Sequence, residues 1–222
     1  MKPIGYIRTP FPTKFGVPRQ SGLVTLASKV VLEAEYSDPE CVRGLDEYSH
    51  IWLIWGFSDV PEGKWSPTVR PPRLGGNRRM GVFATRSPYR PNAMGLSCVK
   101  LVSIGREDGR TVLTVEGIDT KDATPVYDIK PYLPYTDSHP DAKGGFAAEV
   151  LDYALEVTVP EAEAAKLDGG LLEPLTEILS QDPRPSYQDD PDRVYGFEFD
   201  RYEVKFKVDG KVLTVTQITK QG

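Results

Sequence analysis

Five polar segments hold most of the residues in this sequence that could do chemistry, and each is shaped by proline or glycine. Lys14-Phe15-Gly16-Val17-Pro18-Arg19-Gln20-Ser21-Gly22 is the first, and Val69-Arg70-Pro71-Pro72-Arg73-Leu74-Gly75-Gly76-Asn77-Arg78-Arg79 the second. The third runs from Gly81 to Asn92 and on into Met94-Gly95-Leu96-Ser97; the fourth is Asp119–Tyr132 and the fifth Gln181–Tyr187. Proline fixes φ and glycine admits conformations that other residues avoid, so such loops hold Arg, Asp and Tyr in defined places at modest entropic cost. Arginine forks onto carboxylates and phosphates, and aspartate accepts from hydroxyls and amines. Taken singly, each loop equally suits surface ion pairs, which are worth little. Residue types alone lead to a face lined with arginine and stop there.

What is missing narrows the chemistry. There is no Gly-x-Gly, hence no dinucleotide fingerprint, and no Gly-x-x-x-x-Gly-Lys-Ser/Thr phosphate loop. No serine nucleophile elbow and no Cys/His pair at a recognised spacing is present, so covalent catalysis is not expected. His50 and His139 are the only histidines, and Cys41 and Cys98 lie far apart with no Cys-x-x-Cys, so the expectation is no metal and no disulfide. His50, between Ser49 and Ile51, suits a strand-end histidine bonded within the fold.

The net charge of −5 on 222 residues argues by itself against nucleic acid, but the charge is unevenly spread. Residues 1–32 carry Lys2, Arg8, Lys14, Arg19 and Lys29 with no acid. Residues 61–100 set eight bases against Glu62 alone. The front is basic and the back acidic; a basic front is a phosphate footprint or, on the plainer view, a set of solvated loop arginines. The longest aliphatic and aromatic run, Ile51–Trp55, is far too short to span a bilayer, and Met1–Pro12 has no apolar signal core. The expectation is a soluble, cytoplasmic protein with no membrane partner.

With 20 Gly and 20 Pro, turns should be dense and strands favoured over long helices. Pro3–Thr9, Leu23–Leu26, Val30–Tyr36, Tyr48–Phe57, Met80–Thr85, Leu96–Ile104 and Thr111–Ile118 are short, rich in β-branched or aromatic residues, and bounded by turn formers. Asp108-Gly109 predicts a primed hairpin turn between the last two. Seven antiparallel strands need a closed or nearly closed sheet to hide their edges. The fold expected is mainly β: an antiparallel β-barrel over residues 1–145, then a small α+β domain over 146–222. In the latter, Tyr153–Val159 predicts a strand, Pro160–Leu167 a helix, and Leu171–Leu179 an amphipathic helix. Arg193–Asp200, Tyr202–Val208 and Val212–Ile218 predict strands, the last two joined by a primed turn at Asp209-Gly210.

Several of these strings occur together in one family. Pro18-Arg19-Gln20, Arg70-Pro71-Pro72-Arg73-Leu74-Gly75-Gly76-Asn77, Gly81–Ser87 with Arg90-Pro91-Asn92, Asp128-Ile129-Lys130-Pro131-Tyr132 and Asp182-Pro183-Arg184-Pro185 resemble the TrmO (TsaA-like) family, from Ile4 to about Val215. Two positions depart from its pattern. Ala93 stands where Arg-Pro-Asn is usually followed by Pro, and Ala123 where Asp-Gly-Thr-Pro is usual. Both remove a backbone constraint rather than a reactive group.

The resemblance implies a tRNA methyltransferase, homodimeric, that takes methyl from S-adenosylmethionine to N6 of threonylcarbamoyladenosine beside the anticodon. It places cofactor contacts at Pro18, Arg19, Gln20, Phe57, Ser58, Arg86, Leu96, Asp119, Thr120, Lys121 and Asp122. Methyl transfer from a sulfonium is an in-line displacement in which alignment is the main task. The N6 proton of a urea-like base needs only a modest acceptor. Asp128 or Tyr132 is the candidate for it, with Lys130 facing the threonyl carboxylate. Arg184 and Tyr187 are candidates for gripping the anticodon loop, or else for a contact between domains, and Arg70, Arg73, Arg78 and Arg79 for the tRNA backbone. Two rivals stay open at this point. An RNA-binding module without catalysis would ignore S-adenosylmethionine, and a small-molecule methyltransferase would leave the anticodon loop unprotected against nuclease.

Overall fold

Alternation along the strands decides which side chains face inward. In β3 (His50–Gly56) Ile51 and Leu53 are fully buried and Trp55 nearly so, while Trp52 and Ile54 between them are only partly covered. The computed structural model describes residues 1–61, 63–71, 78–150, 153–184 and 190–221. Around β3 lie β1 (Gly5–Arg8), β2 (Ala27–Leu32), β6 (Met94–Glu107), β7 (Arg110–Glu116) and β8 (Pro125–Pro131). Their antiparallel ladders run β1-β2-β7-β6-β3-β8, and the ring closes through Gly5 opposite Val126 and Tyr6 opposite Pro125. Closure removes the sheet edges that would otherwise be exposed. Ile7, Val30, Leu53, Val99, Leu113, Val115 and Val126 fill the interior. Between β3 and β6 a two-stranded arm, β4 (Thr68–Val69) with β5 (Met80–Gly81), stands apart from this ring.

A second core is built by β9 (Glu156–Thr158), β10 (Tyr195–Phe199), β11 (Tyr202–Asp209) and β12 (Val212–Lys220) in the order β10-β11-β12-β9, with β9 parallel to β12. Besides the single turns α1 (Pro134–Asp137) and α2 (Glu161–Ala164), α3 (Leu172–Ser180) lays Leu175, Ile178 and Leu179 on this core. Phe11, Val24 and Leu26 belong to it as well, so the segment between β1 and β2 leaves the ring and packs on the later residues. Gly16 sits there against Phe197: a Cβ at Gly16 would stand 2.3 Å from that ring.

The chain is mainly β, as its composition predicts, but several elements differ. Leu23–Leu26 forms no strand; Val24 and Leu26 serve the second core instead, and Leu23 is exposed. The strand expected to reach Tyr36 stops at Leu32, before a 3₁₀ turn at Ala34–Tyr36, and that expected over Met80–Thr85 yields to a 3₁₀ turn after Gly81. Most consequential, the latter half of the fourth loop is β8, a strand of the ring. Asp108 and Gly109 both take positive φ, 48° and 77°, as a type I′ turn requires. In the other hairpin Asp209 pairs with Val212, so the turn residues are Gly210 and Lys211 rather than Asp209 and Gly210.

Candidate active site

Antiparallel order brings the end of β3, the start of β6, the end of β7 and the start of β8 to one end of the ring. Trp55 is paired with Gly95 and Gly56 with Met94, and Trp55 also lies opposite Val126. Two contiguous clefts of about 260 Å³ each open there and share Trp55, Phe57 and Asp119. One is completed by Arg19, Gln20, Thr85, Arg86, Arg90, Met94, Gly95 and Leu96. The other is completed by residues that include Lys14, Ser58, Asp59, Tyr89, Thr120 and Lys121. Together they fall within the size range of pockets that hold drug-sized ligands, about 300–1,000 Å³.

Nine of the eleven residues that the resemblance assigned to the cofactor line these clefts: Arg19, Gln20, Phe57, Ser58, Arg86, Leu96, Asp119, Thr120 and Lys121. The other two stand behind them. Pro18 is buried. Asp122 closes the turn before β8, accepting from the Thr9 N–H at 3.1 Å and from Arg8 Nη1 at 3.2 Å.

A chain of hydrogen bonds orients Asp119. Trp55 Nε1 donates to Ser97 Oγ at 2.8 Å, and the Ser97 hydroxyl donates to Asp119 Oδ1. Burial pushes the Asp119 carboxyl above its ordinary pKa, against the Ser97 hydrogen bond and the Arg86 charge, which lower it. Trp55 and Phe57 meet edge to face with centroids 4.5 Å apart. Arg86 donates to Gln20 Oε1, and Lys121 pairs with Asp59. Trp55, Gly95 and Ser97 carry no assigned role in the sequence; only the β3–β6 register puts them at the site.

This donor set fits an adenosyl-methionine group. An aromatic wall suits the adenine, the Asp119 carboxylate suits ribose hydroxyls or an ammonium, and Arg86 suits a carboxylate. Thr120 lines the cleft with a buried hydroxyl that has no hydrogen-bond partner among the described residues.

The proposed proton-handling residues are elsewhere. Asp128 lines a separate groove of about 600 Å³ with Tyr36, Arg43 and Tyr48, and pairs with Lys130 at 3.0 Å. Tyr132 packs beside His50 and Trp52. As strand β8 the string is held by its pairing with β3, Asp128 opposite Ile54 and Lys130 opposite Trp52, and Asp128, Lys130 and Tyr132 share a face because alternate residues do. His50 bonds Ser49 at the start of β3, as its position predicts.

Among the RNA candidates, Arg70, Arg78 and Arg79 are exposed beside the β4–β5 arm. Arg73 and Tyr187 lie outside the described residues. Arg184 is not at the surface: only 9% exposed, it forks onto Asp182 at 2.8 and 3.0 Å. It is an internal anchor, not a phosphate grip. Among the described residues Lys14, Lys64, Arg70, Arg78, Arg79, Arg86 and Arg90 have no carboxylate within ion-pair distance, whereas cations such as Lys29, Lys100, Arg110 and Arg201 are paired.

Fold and cleft thus define a mainly β protein with a polar and aromatic ligand site under a positively charged rim. The model of the tRNA-methyltransferase O N-terminal domain matches residues 6–138, and that of the TrmO C-terminal domain residues 152–221. The chain belongs to the TrmO family. It is 43% identical over 215 residues to a tRNA (adenine(37)-N6)-methyltransferase of Escherichia coli (strain K12), covering 92% of this chain and 91% of that one. It is 45% identical over 205 residues, 88% of this chain and 87% of the relative, to the Pseudomonas aeruginosa protein named "Putative S-adenosylmethionine-dependent methyltransferase RcsF". The crystal structure of TrmO from Pseudomonas aeruginosa superposes with a TM-score of 0.77 at 34% identity, over 98% of this chain and 95% of that one.

Proposed function

We propose that this chain transfers a methyl group from S-adenosylmethionine to N6 of adenosine 37 in tRNA, the base carrying its threonylcarbamoyl group. The observation that carries this reading is the convergence of Arg19, Gln20, Phe57, Arg86, Leu96 and Asp119 on one cleft, with Arg90 in its lining and Lys14 in that of the adjoining cleft. The TrmO membership and the name of the Escherichia coli relative support the reaction and the position. Neither rival reading draws support from them.

When bound, S-adenosylmethionine supplies an electrophilic methyl on a sulfonium. The chain's own work is placement. Arg86 brings a positive charge to the cleft, Arg19 lines it while its guanidinium donates to the Asp182 carbonyl, and Asp119, bonded by Ser97, presents a carboxylate. Trp55 and Phe57 wall the site with apolar surface. Holding the acceptor nitrogen at near contact with the methyl carbon is worth about 7–11 kcal/mol.

Arg70, Arg78 and Arg79 take the tRNA backbone, and exposed Trp65, Phe83 and Tyr89 near the same arm offer faces for unpaired bases. Residues 1–145 form the methyltransferase domain and 146–222 the appended α+β domain; the enzyme acts as a cytoplasmic homodimer. The test is mass analysis of nucleosides from tRNA containing threonylcarbamoyladenosine after incubation with the protein and S-adenosylmethionine. One added methyl on that nucleoside supports the reading, and methyl on unmodified adenosine or on none refutes it. Sedimentation of the purified chain tests the dimer.

A further inference from the structure

We propose that the turn following α3 is a positioning device for the cofactor loop: Gln181, Asp182 and Arg184 hold Pro18–Gln20 in the conformation that the cleft uses. The inference rests on the reading of the cleft given above and extends it to residues remote in sequence.

Asp182 takes φ of 52°, a conformation that residues with a Cβ adopt at a cost. Its carboxylate accepts from Nε and Nη2 of Arg184, and from the Tyr153 hydroxyl at 2.7 Å. The Arg184 N–H reaches the same carboxylate at 3.3 Å. With Asp182 and Arg184 6% and 9% exposed, water competes little for the bonds between those two. The turn is therefore set from within, and it is set against Arg19. The Asp182 carbonyl accepts from the Arg19 guanidinium, and Gln181 Oε1 accepts from the Arg19 backbone N–H at 3.3 Å. Gln20 continues the series, donating to the Arg19 carbonyl and accepting from Arg86. Arg184, Asp182, Arg19, Gln20 and Arg86 thus form an unbroken line of hydrogen bonds from the second core to the cleft.

Removing either member of the buried pair strands the charge of the other, and such a variant can fail to fold for that reason alone. The deciding substitution is therefore Gln181→Ala, which strands no charge: it deletes the neutral acceptor of the Arg19 N–H together with the long donations of the same amide to the Leu23 and Glu177 carbonyls at 3.4 and 3.3 Å. S-adenosylmethionine is titrated calorimetrically into the full chain without tRNA, and amide exchange at Arg19 is followed without cofactor. The expected results are cofactor binding weaker by about two- to tenfold, the worth of one such bond, and faster exchange at Arg19. Affinity for tRNA stays within twofold. Arg184→Lys, which keeps the charge and loses the fork, weakens cofactor binding in the same sense. A wild-type chain that binds, beside a Gln181→Ala chain that binds as tightly or exchanges no faster at Arg19, overturns the inference. So does an Arg184→Lys chain that loses tRNA affinity with cofactor affinity unchanged. A wild-type chain that does not bind S-adenosylmethionine overturns instead the reading of the cleft.

Discussion

Trp55 occupies the space that a side chain at Gly95 would need: a Cβ there would lie 2.3 Å from the indole ring. Any other residue at 95 must displace the ring, and with it the hydrogen bond to Ser97 that fixes Asp119. Gly95→Ala is expected to cost about 1–3 kcal/mol, the usual penalty of overpacking, and to weaken S-adenosylmethionine binding. Denaturant unfolding and calorimetric titration on the same preparation check both.

Asp119→Asn should separate stability from binding. Burial holds this carboxyl above its ordinary pKa, so the folded protein binds its proton more tightly than the unfolded chain does. Stability contributed by this group falls as pH rises from the unfolded value through the folded one. The amide removes that loss, so the variant is expected to be at least as stable as wild type at neutral pH, with no such advantage below about pH 4. Its cofactor affinity should drop. Thermal unfolding at pH 7 and in acid, each with and without S-adenosylmethionine, measures the pair of effects.

Ala123 takes φ of 59° where the family pattern has glycine. The left-handed conformation costs a residue with a Cβ about 1–2 kcal/mol, and glycine returns part of that through greater freedom when unfolded. Ala123→Gly is therefore expected to stabilise the chain by up to about 1 kcal/mol without altering turnover. A shift of the urea midpoint at constant slope is the readout.

Asp128 and Arg86 should respond differently to substitution. Asp128 shares no cleft with the cofactor residues, so Asp128→Asn is expected to bind S-adenosylmethionine within twofold of wild type. Arg86→Ala should bind it at least tenfold more weakly, since a bond to a charged partner is worth about 1.5–3 kcal/mol. Equal losses in both would place the cofactor nearer the groove of Asp128.

Replacing Arg78 and Arg79 together by alanine removes two exposed charges from the arm. The slope of log affinity for tRNA against log salt should become shallower by about 1–2. Cofactor binding without tRNA should not change.

The sequence carried more of the ligand site than of its scaffold. Pro18-Arg19-Gln20, Arg86 and Asp119 stood out as polar loop residues, but their assignment to a ligand, and that of Phe57 and Leu96, came from the family resemblance; Arg19, Gln20, Phe57, Arg86, Leu96 and Asp119 line one cleft. The alternation of Tyr195, Phe197 and Phe199 on β10 announced its strand equally well. Strand β8 was hidden by the prolines at both its ends, which read as loop but occupy the terminal positions where the ladder tolerates them. With strand in place of loop, Asp128 lines the groove of Tyr36 and Arg43 and pairs with Lys130. Gly95 and Ser97 were illegible for a different reason: their importance lies in a cross-strand partner that only the register names. Arg184 looked solvent-facing because arginine usually is, and its burial depends on a partner two residues away.

The excursion of residues 11–26 onto the later core ties the two halves of the chain to a single fate. Cut away after the ring, the first 145 residues would leave Phe11, Val24 and Leu26 wet and Gly16 without its aromatic neighbour. An isolated front fragment would keep its cylinder yet lose the brace on its own ligand loop, so the tail cannot be treated as a detachable handle for RNA.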